Sequence, residues 1–186
     1  MRRGFKAQAE RSAAAARDTL GLSPNAPIDP WAYAAYLKVR VLDFGNLGLP
    51  TREVSQLTVI DGDSWSAMTL QLNGTFGIVL NPSHAITRQR NDLMHELAHI
   101  ELHHAPVRVE VSENGLLLLS DYSDEQEQEA DWLAAALLLP RDALVQSRSA
   151  RHSAAEIANR YGVSVALCEW RLRMTGVDVQ IRRPYR

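Results

Sequence analysis

His95, Glu96 and His99 are the residues whose types and spacing best suit chemistry in this chain. They belong to the sequence His95-Glu96-Leu97-Ala98-His99. On a helix, residues four positions apart lie on the same face, so the two imidazoles can bind one metal ion. The intervening Glu96 can then reach a water molecule on that ion and act as general base. The pattern predicts a zinc-dependent hydrolytic site.

The segment 86–104 has the spacing of the amphipathic helix that this motif requires. Apolar residues recur there at helical intervals and predict a buried stripe. A row of polar residues lies next to that stripe, as expected for a site in a cleft. The apolar stripe comprises Leu93, Met94, Leu97 and Ile100, and the polar row comprises Asp92, His95, Glu96, His99 and His103.

A catalytic zinc ion usually takes three protein ligands and keeps one position for water, so the histidine pair needs a further ligand. The candidates are His103, His104 and the acidic cluster at residues 124–131. His103 lies one turn beyond His99 on the same helix, too far to share the ion. We therefore interpret His103 as a group at the helix end, outside the ligand set.

Within the acidic cluster, Glu129 is the preferred ligand because it lies at the edge of the apolar stripe of a second predicted helix. A carboxylate buried there is costly unless it is paired or bound to metal. Glu127, in register with Asp131, is the alternative. The acids could also form only a solvated helix start that complements the helix dipole.

Bulk composition is that of an ordinary soluble protein, with 186 residues and a net charge of −2. This charge gives no general attraction to nucleic acid or to an anionic membrane. No apolar run approaches the length of a membrane span. The single cysteine, Cys168, cannot form an internal disulfide and favours a reducing cytoplasm. The basic, Ala-rich segment 1–17 is interpreted as an amphipathic helix rather than a transit peptide.

The surrounding pattern predicts one α+β domain over residues 1–186, with a small, mostly antiparallel sheet packed on the helix of the His-Glu motif. Residues 1–30 form an N-terminal helix and a Pro-rich loop, and residues 141–186 form a C-terminal helical hairpin and tail. Strands are predicted at 39–44, 57–60, 66–72, 76–80, 107–111 and 116–119, and helices at 30–37, 86–104, 123–139, 154–161 and 164–174. Hairpin turns are predicted at Asn73-Gly74 and at 112–115, and residues 182–186 are a basic tail. Ser123 and Gln126 match a capping box that opens the helix at 123–139.

Three blocks of sequence give the chain its resemblance to the ImmA/IrrE metallopeptidase family. The block that runs from the acidic cluster to Leu137-Leu138-Leu139-Pro140 is the one most specific to this family. The first block comprises Ser66-Ala67, 77–81 and 88–90 and leads into 94–99. The second comprises 127–134 and 137–140. The third comprises Ile157-Ala158, 161–164 and Arg171-Leu172.

This resemblance implies a zincin-like endopeptidase with Zn²⁺ bound by His95, His99 and a glutamate, which we assign to Glu129. It implies Glu96 as the general base. It also implies a protein substrate, a helix-turn-helix transcriptional repressor, in stress response or in control of mobile elements or toxin–antitoxin pairs. The donor for the oxyanion is left open among Tyr122, His103, His104, Arg88 and Arg90.

Two other interpretations are set against this one. Residues 157–173 resemble a helix-turn-helix, but the net charge and the acidic Glu169 favour a hairpin packed on the core, so direct nucleic-acid binding is not expected. A catalytically silent zinc-binding scaffold, or regulatory protein-binding module, would have no need of Glu96. Finally, the strand at 76–80 is interpreted either as an edge that pairs with an extended substrate strand or as an interior strand with no free edge.

Overall fold

The computed structural model describes residues 1–43, 51–55, 59–60, 64–111 and 117–182 of the chain. It confirms the predicted α+β class, with a small mixed sheet and surrounding helices. The helices are α1 (Phe5–Thr19), α2 (Pro30–Tyr36), α3 (Thr51–Ser55), α4 (Ile86–Glu101), α5 (Asp124–Leu138), α6 (Arg141–Ser149), α7 (Ala154–Tyr161), α8 (Val165–Thr175) and α9 (Val177–Arg182). The strands are β1 (Arg40–Leu42), β2 (Ala67–Leu72), β3 (Thr75–Leu80), β4 (Arg108–Val111) and β5 (Leu117–Ser120).

The sheet has the strand order β1-β3-β2-β5-β4, with β1 parallel to β3 and the remaining pairs antiparallel. The β2–β3 hairpin turns at Asn73 and Gly74, which have φ values of 49° and 78°. Positive φ at both central residues matches the right-handed twist of the two strands. The register places Thr69 of β2 opposite Ile78 of β3 and Leu119 of β5. Thr69 therefore lies near the middle of the sheet, where it can reach a helix packed beneath.

Helices α4 and α5 pack along one another under the sheet. The stripe predicted for α4 is confirmed, because Leu93, Met94 and Leu97 are fully buried. The predicted capping box opens α5, where Ser123 accepts a hydrogen bond from the Gln126 backbone N–H. This cap fixes where the acidic residues begin on the helix, and so which of them face α4.

Helix α4 ends earlier than predicted, at Glu101 instead of His104. His103 has a φ of 53°, and the His104 N–H donates to the His99 carbonyl at 3.0 Å. That bond closes a Schellman-type turn, in which a left-handed residue reverses the chain at a helix end. Such turns usually use Gly, so the sequence of this segment gave no sign of it. The turn directs His104 back along α4.

The N-terminal helix α1 packs on α5 and is joined to the C-terminal helix α8 by an ion pair. Glu10 accepts a hydrogen bond from the Arg171 guanidinium at 2.6 Å, and Arg171 is fully buried. Trp170 packs edge-on against Trp132 of α5. Two of the side chains that a DNA-reading helix would present are thus used inside the protein. These contacts agree with a packed hairpin.

Several predicted features differ from the structure or lie outside it. Val59 and Ile60 form a helical turn, so the predicted strand at 57–60 is wrong there, while residues 57–58 lie outside the described residues. The predicted turn at 112–115 and most of the basic tail at 182–186 also lie outside them. Among the described residues, no helix is long and apolar enough to cross a membrane.

The interpretation that β3 offers a free edge to the substrate is wrong. Residues 77–79 pair with β1 on one side and β2 on the other. Val79 lies opposite both Leu42 and Met68 and is fully buried. The parallel pairing with β1 was not evident from sequence, because β1 is only three residues long.

Val79→Pro should therefore lower the stability of the whole protein and not merely weaken substrate binding. Proline removes a backbone donor from the interior of the sheet, which costs at least about 2 kcal/mol in unpaired and strained groups. The measurement is the urea midpoint followed by circular dichroism. Val109→Pro, on the outer strand β4, is the matched control and should shift the midpoint much less. Equal midpoints for Val79→Pro and wild type would contradict the interior position.

Candidate metal centre and active site

Three side chains from α4 and α5 converge with their ligand atoms close together. The Nε2 atoms of His95 and His99 lie 3.0 Å apart. Glu127 places one carboxylate oxygen 3.2 Å from the first of these atoms and the other 3.7 Å from the second. Among the described residues, His95, His99 and Glu127 form a group able to hold a metal ion. The predicted convergence of the two histidines is present, and a glutamate of α5 completes it.

The spacing of these atoms fits a tetrahedral zinc ion. Ligand atoms about 2.0–2.2 Å from zinc at tetrahedral angles lie roughly 3.3–3.6 Å from one another. The two nitrogens lie 3.0 Å apart, and the nearest Glu127 oxygen to each, a different oxygen in the two cases, lies 3.2 and 3.7 Å away, so all three separations are close to that range. Two imidazole nitrogens and one carboxylate oxygen also form a familiar donor set for catalytic zinc. The residues present therefore fit Zn²⁺ with little rearrangement.

Asp131 orients the first histidine from behind. Its carboxylate lies 3.0 Å from His95 Nδ1, so it accepts the Nδ1 proton and leaves Nε2 for a metal ion. Burial acts against a charged His95, but the hydrogen bonds to Asp131 and Glu127 outweigh it and raise the pKa of His95 to about 10. The hydrogen bond from His95 lowers the pKa of Glu127. The cluster thus stabilises a positive charge between its side chains.

Glu96 points from α4 toward the sheet, where β2 meets it. The Thr69 hydroxyl donates to Glu96 Oε2 at 2.5 Å, and Thr69 is fully buried. Burial raises the pKa of Glu96, although this hydrogen bond acts in the opposite direction. A carboxylate of raised pKa can accept and return a proton near neutral pH more readily than an exposed one. Thr69 fixes one of its oxygens, and no described side chain donates a hydrogen bond to the other.

The structure places Glu129 away from the ligand set. Its carboxylate is buried and binds Arg2, accepting from Nε at 2.8 Å, from Nη2 at 2.8 Å and from the backbone N–H at 2.9 Å. Burial disfavours the carboxylate, yet the hydrogen bonds from Arg2 outweigh it and lower the pKa of Glu129. The cost of burying this charge is thus offset by an ion pair. The structure therefore groups Glu127, and not Glu129, with the two histidines.

Helix geometry explains why Glu127, and not Glu129, lies beside the two histidines. Residues two positions apart on an α-helix point in directions that differ by about 200°, so Glu127 and Glu129 face nearly opposite ways. Glu127 and Asp131, one turn apart, share the face that meets α4. A ligand in an open cleft needs only partial burial, and Glu127 is 43% exposed. In the sequence, the i, i+4 spacing of Glu127 and Asp131 indicated which acids share the face toward α4. Glu129 lies instead on the side of the helix that faces the core.

Comparison with known proteins places the chain in a family. Residues 55–173, more than half of the chain, match the family model Peptidase_M78, the IrrE N-terminal-like domain. The chain belongs to the Peptidase_M78 family. Membership supports hydrolysis of peptide bonds as its type of activity and confirms the resemblance inferred from the sequence blocks. Searches of curated proteins and of solved structures found no significant match.

The matched Peptidase_M78 region contains every ligand candidate described above, together with Thr69 and Tyr122. Sequence reasoning did not assign Thr69, since a lone threonine in a strand carries no motif. Tyr122 stacks on His99, with ring centroids 3.7 Å apart and planes at 25°. Burial, together with the nearby Glu96 and Glu127 charges, raises the pKa of Tyr122 to about 12. Its phenol is therefore a neutral donor beside the candidate metal site.

Other candidates for the oxyanion donor make hydrogen bonds outside the candidate metal site. Arg88 donates to the Ser66 hydroxyl, and Arg90 donates to Asp29 and to the Ile28 carbonyl. His104 lies behind His99, on the side away from Glu127, and burial lowers its pKa. His103 lines a cavity beside His99, and its imidazole takes part in none of the described side-chain hydrogen bonds. These contacts leave Tyr122 and His103 as the two candidate donors that line the cavity next to His99.

Two cavities flank the histidine pair. One, of about 330 Å³, adjoins His99 and has a mostly apolar wall formed by Phe76, Leu117 and Leu119. The other, of about 220 Å³, adjoins His95 and is lined by Asp131 and Trp170 among others. A polypeptide crossing the histidine pair would have room for a side chain on each side. This layout suits the extended substrate of a peptidase.

Proposed function

We propose that this member of the Peptidase_M78 family is a zinc-dependent endopeptidase. The observation that carries the proposal is the convergence of His95, His99 and Glu127 beside a Glu96 carboxylate fixed by Thr69. Zn²⁺ bound there would lower the pKa of a coordinated water and polarise the scissile carbonyl. Family membership and the tetrahedral spacing of the donor atoms support this choice.

The residues of the chain divide the work of hydrolysis between them. Glu96 accepts the proton of the attacking water and delivers it to the leaving amine. Tyr122 donates its phenolic hydrogen to the oxygen on which negative charge develops. Asp131 keeps His95 in the tautomer that exposes Nε2. The apolar cavity next to His99 receives a large apolar side chain of the substrate.

The substrate strand is proposed to pair with β4 instead of β3. Within the described part of the chain, β4 pairs only with β5, so its other edge is free. Val109 of β4 lines the cavity next to His99, which brings this edge beside the candidate metal site. A free strand edge holds an extended peptide through main-chain hydrogen bonds.

We further propose that the substrate is a helix-turn-helix transcriptional repressor, in stress response or in control of mobile elements or toxin–antitoxin pairs. The support is the family resemblance and the need for a protein with an accessible extended segment. The direct test incubates purified, zinc-loaded protein with the repressor encoded nearest its gene and identifies products by mass spectrometry. Cleavage at one bond, lost with 1,10-phenanthroline and restored by Zn²⁺, is the expected result.

The same assay separates the enzyme from a catalytically silent zinc-binding scaffold. A scaffold would bind one zinc ion and the repressor but would leave the repressor intact. The position of Glu96 favours the enzyme, because burying a carboxylate beside a metal site costs free energy that a binding module need not spend. Intact repressor after long incubation with a zinc-replete protein would support the scaffold.

Tyr122→Phe should lower kcat by about 10²–10³-fold if its hydroxyl stabilises the oxyanion. The phenyl ring preserves the stack on His99, so zinc content should stay at the wild-type value. Tyr36→Phe is a suitable control, since Tyr36 is half-exposed and stacks on Tyr33, away from the candidate site. A Tyr122→Phe enzyme with wild-type kcat would exclude Tyr122 and return attention to His103.

A further inference from the structure

A chain of side chains leads from the candidate metal centre to the N-terminal segment. His99 Nδ1 lies 3.1 Å from His104 Nδ1. His104 Nε2 lies 3.6 Å from Glu129, whose carboxylate is held by the Arg2 hydrogen bonds. His99, His104 and Glu129 are all buried on this side of the centre. None of His104, Glu129 and Arg2 has a role in the ligand set or in the proposed proton transfer.

Hydrogen-bond roles in this chain follow from the metal site. If His99 binds metal through Nε2, its Nδ1 carries the proton and must donate it. The atom facing it is His104 Nδ1, which can accept only in the tautomer with the proton on Nε2. That N–H then faces the Glu129 carboxylate. The separation of 3.6 Å is longer than a hydrogen bond, so Glu129 favours this tautomer through its charge.

The backbone explains how His104 reaches His99. The Schellman-type turn places His104 against His99 and requires a left-handed conformation at His103. Helices α2 and α6 end with the same conformation at Lys38 and Arg151, so the conformation alone does not indicate function. What is particular to α4 is that the residue after the turn is a histidine that faces a proposed metal ligand.

We propose that His104, Glu129 and Arg2 are positioning residues for the metal centre, and that they fix the tautomer and orientation of His99. Asp131 performs the same task for His95 directly, so each histidine has its own support. This inference rests on the proposed function, because it assumes a metal ion at His95, His99 and Glu127. It explains why Glu129 is buried without being a ligand. It also assigns the N-terminal segment a part in metal binding.

The test measures metal affinity and does not depend on peptidase activity. Zn²⁺ affinity is determined by competition with a chelator, and the visible spectrum of the Co²⁺-substituted protein reports ligand geometry. His104→Phe retains bulk but removes both nitrogens. We expect it to lower Zn²⁺ affinity by about 10–100-fold and to change the Co²⁺ spectrum. Glu129→Gln and Arg2→Met should lower affinity in the same direction, by up to about 10-fold.

Glu10→Gln is the matched control for a loosened N-terminal helix. Glu10 lies on α1 and binds Arg171, far from the metal centre along the chain of contacts. It should lower the unfolding temperature without changing Zn²⁺ affinity or the Co²⁺ spectrum. If His104→Phe fails to fold, Glu129→Gln and Arg2→Met decide the question. A combined His104→Phe and Glu129→Gln variant should lose less affinity than the two single losses added, since Glu129 acts through His104.

The outcomes separate this inference from the proposed function. A wild-type protein that binds one ion, with variants of unchanged affinity and spectrum, would overturn the positioning role and leave the peptidase proposal intact. If Glu10→Gln lowers Zn²⁺ affinity as much as Glu129→Gln and Arg2→Met do, Arg2 and Glu129 serve only to attach α1. That result would also overturn the positioning role. A wild-type protein that binds neither Zn²⁺ nor Co²⁺ would overturn the proposed function together with this inference.

Discussion

Glu96→Gln is expected to reduce peptide-bond hydrolysis by about 10²–10⁴-fold while zinc content stays at one ion per chain. Glutamine has nearly the same shape and can still accept the Thr69 hydrogen bond, so the local packing is preserved. Its amide cannot accept the proton of the attacking water. The loss should therefore appear in kcat, with little change in substrate binding.

The measurement is the initial rate of repressor cleavage under zinc-replete conditions, with elemental analysis of the same samples. Glu101→Gln provides a matched control on the same helix. Glu101 is a partly buried carboxylate that accepts from the Tyr33 hydroxyl at 2.7 Å, outside the candidate site. It should keep wild-type activity. An active Glu96→Gln enzyme would show that another group is the general base.

Glu127→Ala should lower zinc affinity by more than about 100-fold, a larger loss than supporting residues produce. It removes the only carboxylate among the three proposed ligands. Glu129→Gln should still hold one zinc ion at saturating metal, because Glu129 binds Arg2 and not the cluster. Elemental analysis after passage over a weak chelating resin distinguishes the two variants.

Glu125→Ala is the control for lost negative charge at the start of α5. Glu125 is exposed and pairs with the N-terminal amine, so its removal should leave zinc content unchanged. Full zinc in Glu127→Ala, with loss in Glu129→Gln, would restore the ligand first inferred from the sequence. If both variants lose zinc to the same extent, zinc binding depends on the total negative charge at the start of α5 and not on one specific ligand.

The sequence was sufficient where one local rule decided the outcome. The i, i+4 histidines and the apolar stripe of Leu93 and Leu97 located α4 and its buried face. The capping box at Ser123 located the start of α5, and Asn73-Gly74 located the β2–β3 turn. In each case residues close in the sequence interact with each other, so spacing alone contains the information.

The sequence was insufficient where partners come from distant segments. Arg2 neutralises Glu129 from 127 positions away, and without that knowledge a buried glutamate resembles a ligand. Thr69 meets Glu96 only because β2 lies above α4. The short β1 covers β3 and removes the expected edge. His103 adopts a conformation that is typical of glycine, so the turn that returns His104 to His99 had no sequence signal.

The most direct test of the central claim is a crystal structure of the zinc-loaded protein with anomalous data on both sides of the zinc absorption edge. We predict one strong peak about 2.0–2.2 Å from His95 Nε2, His99 Nε2 and a Glu127 oxygen. Glu129 should remain on Arg2, outside bonding distance. A peak bound to Glu129 and His104, or no peak between His95 and His99, would contradict the account.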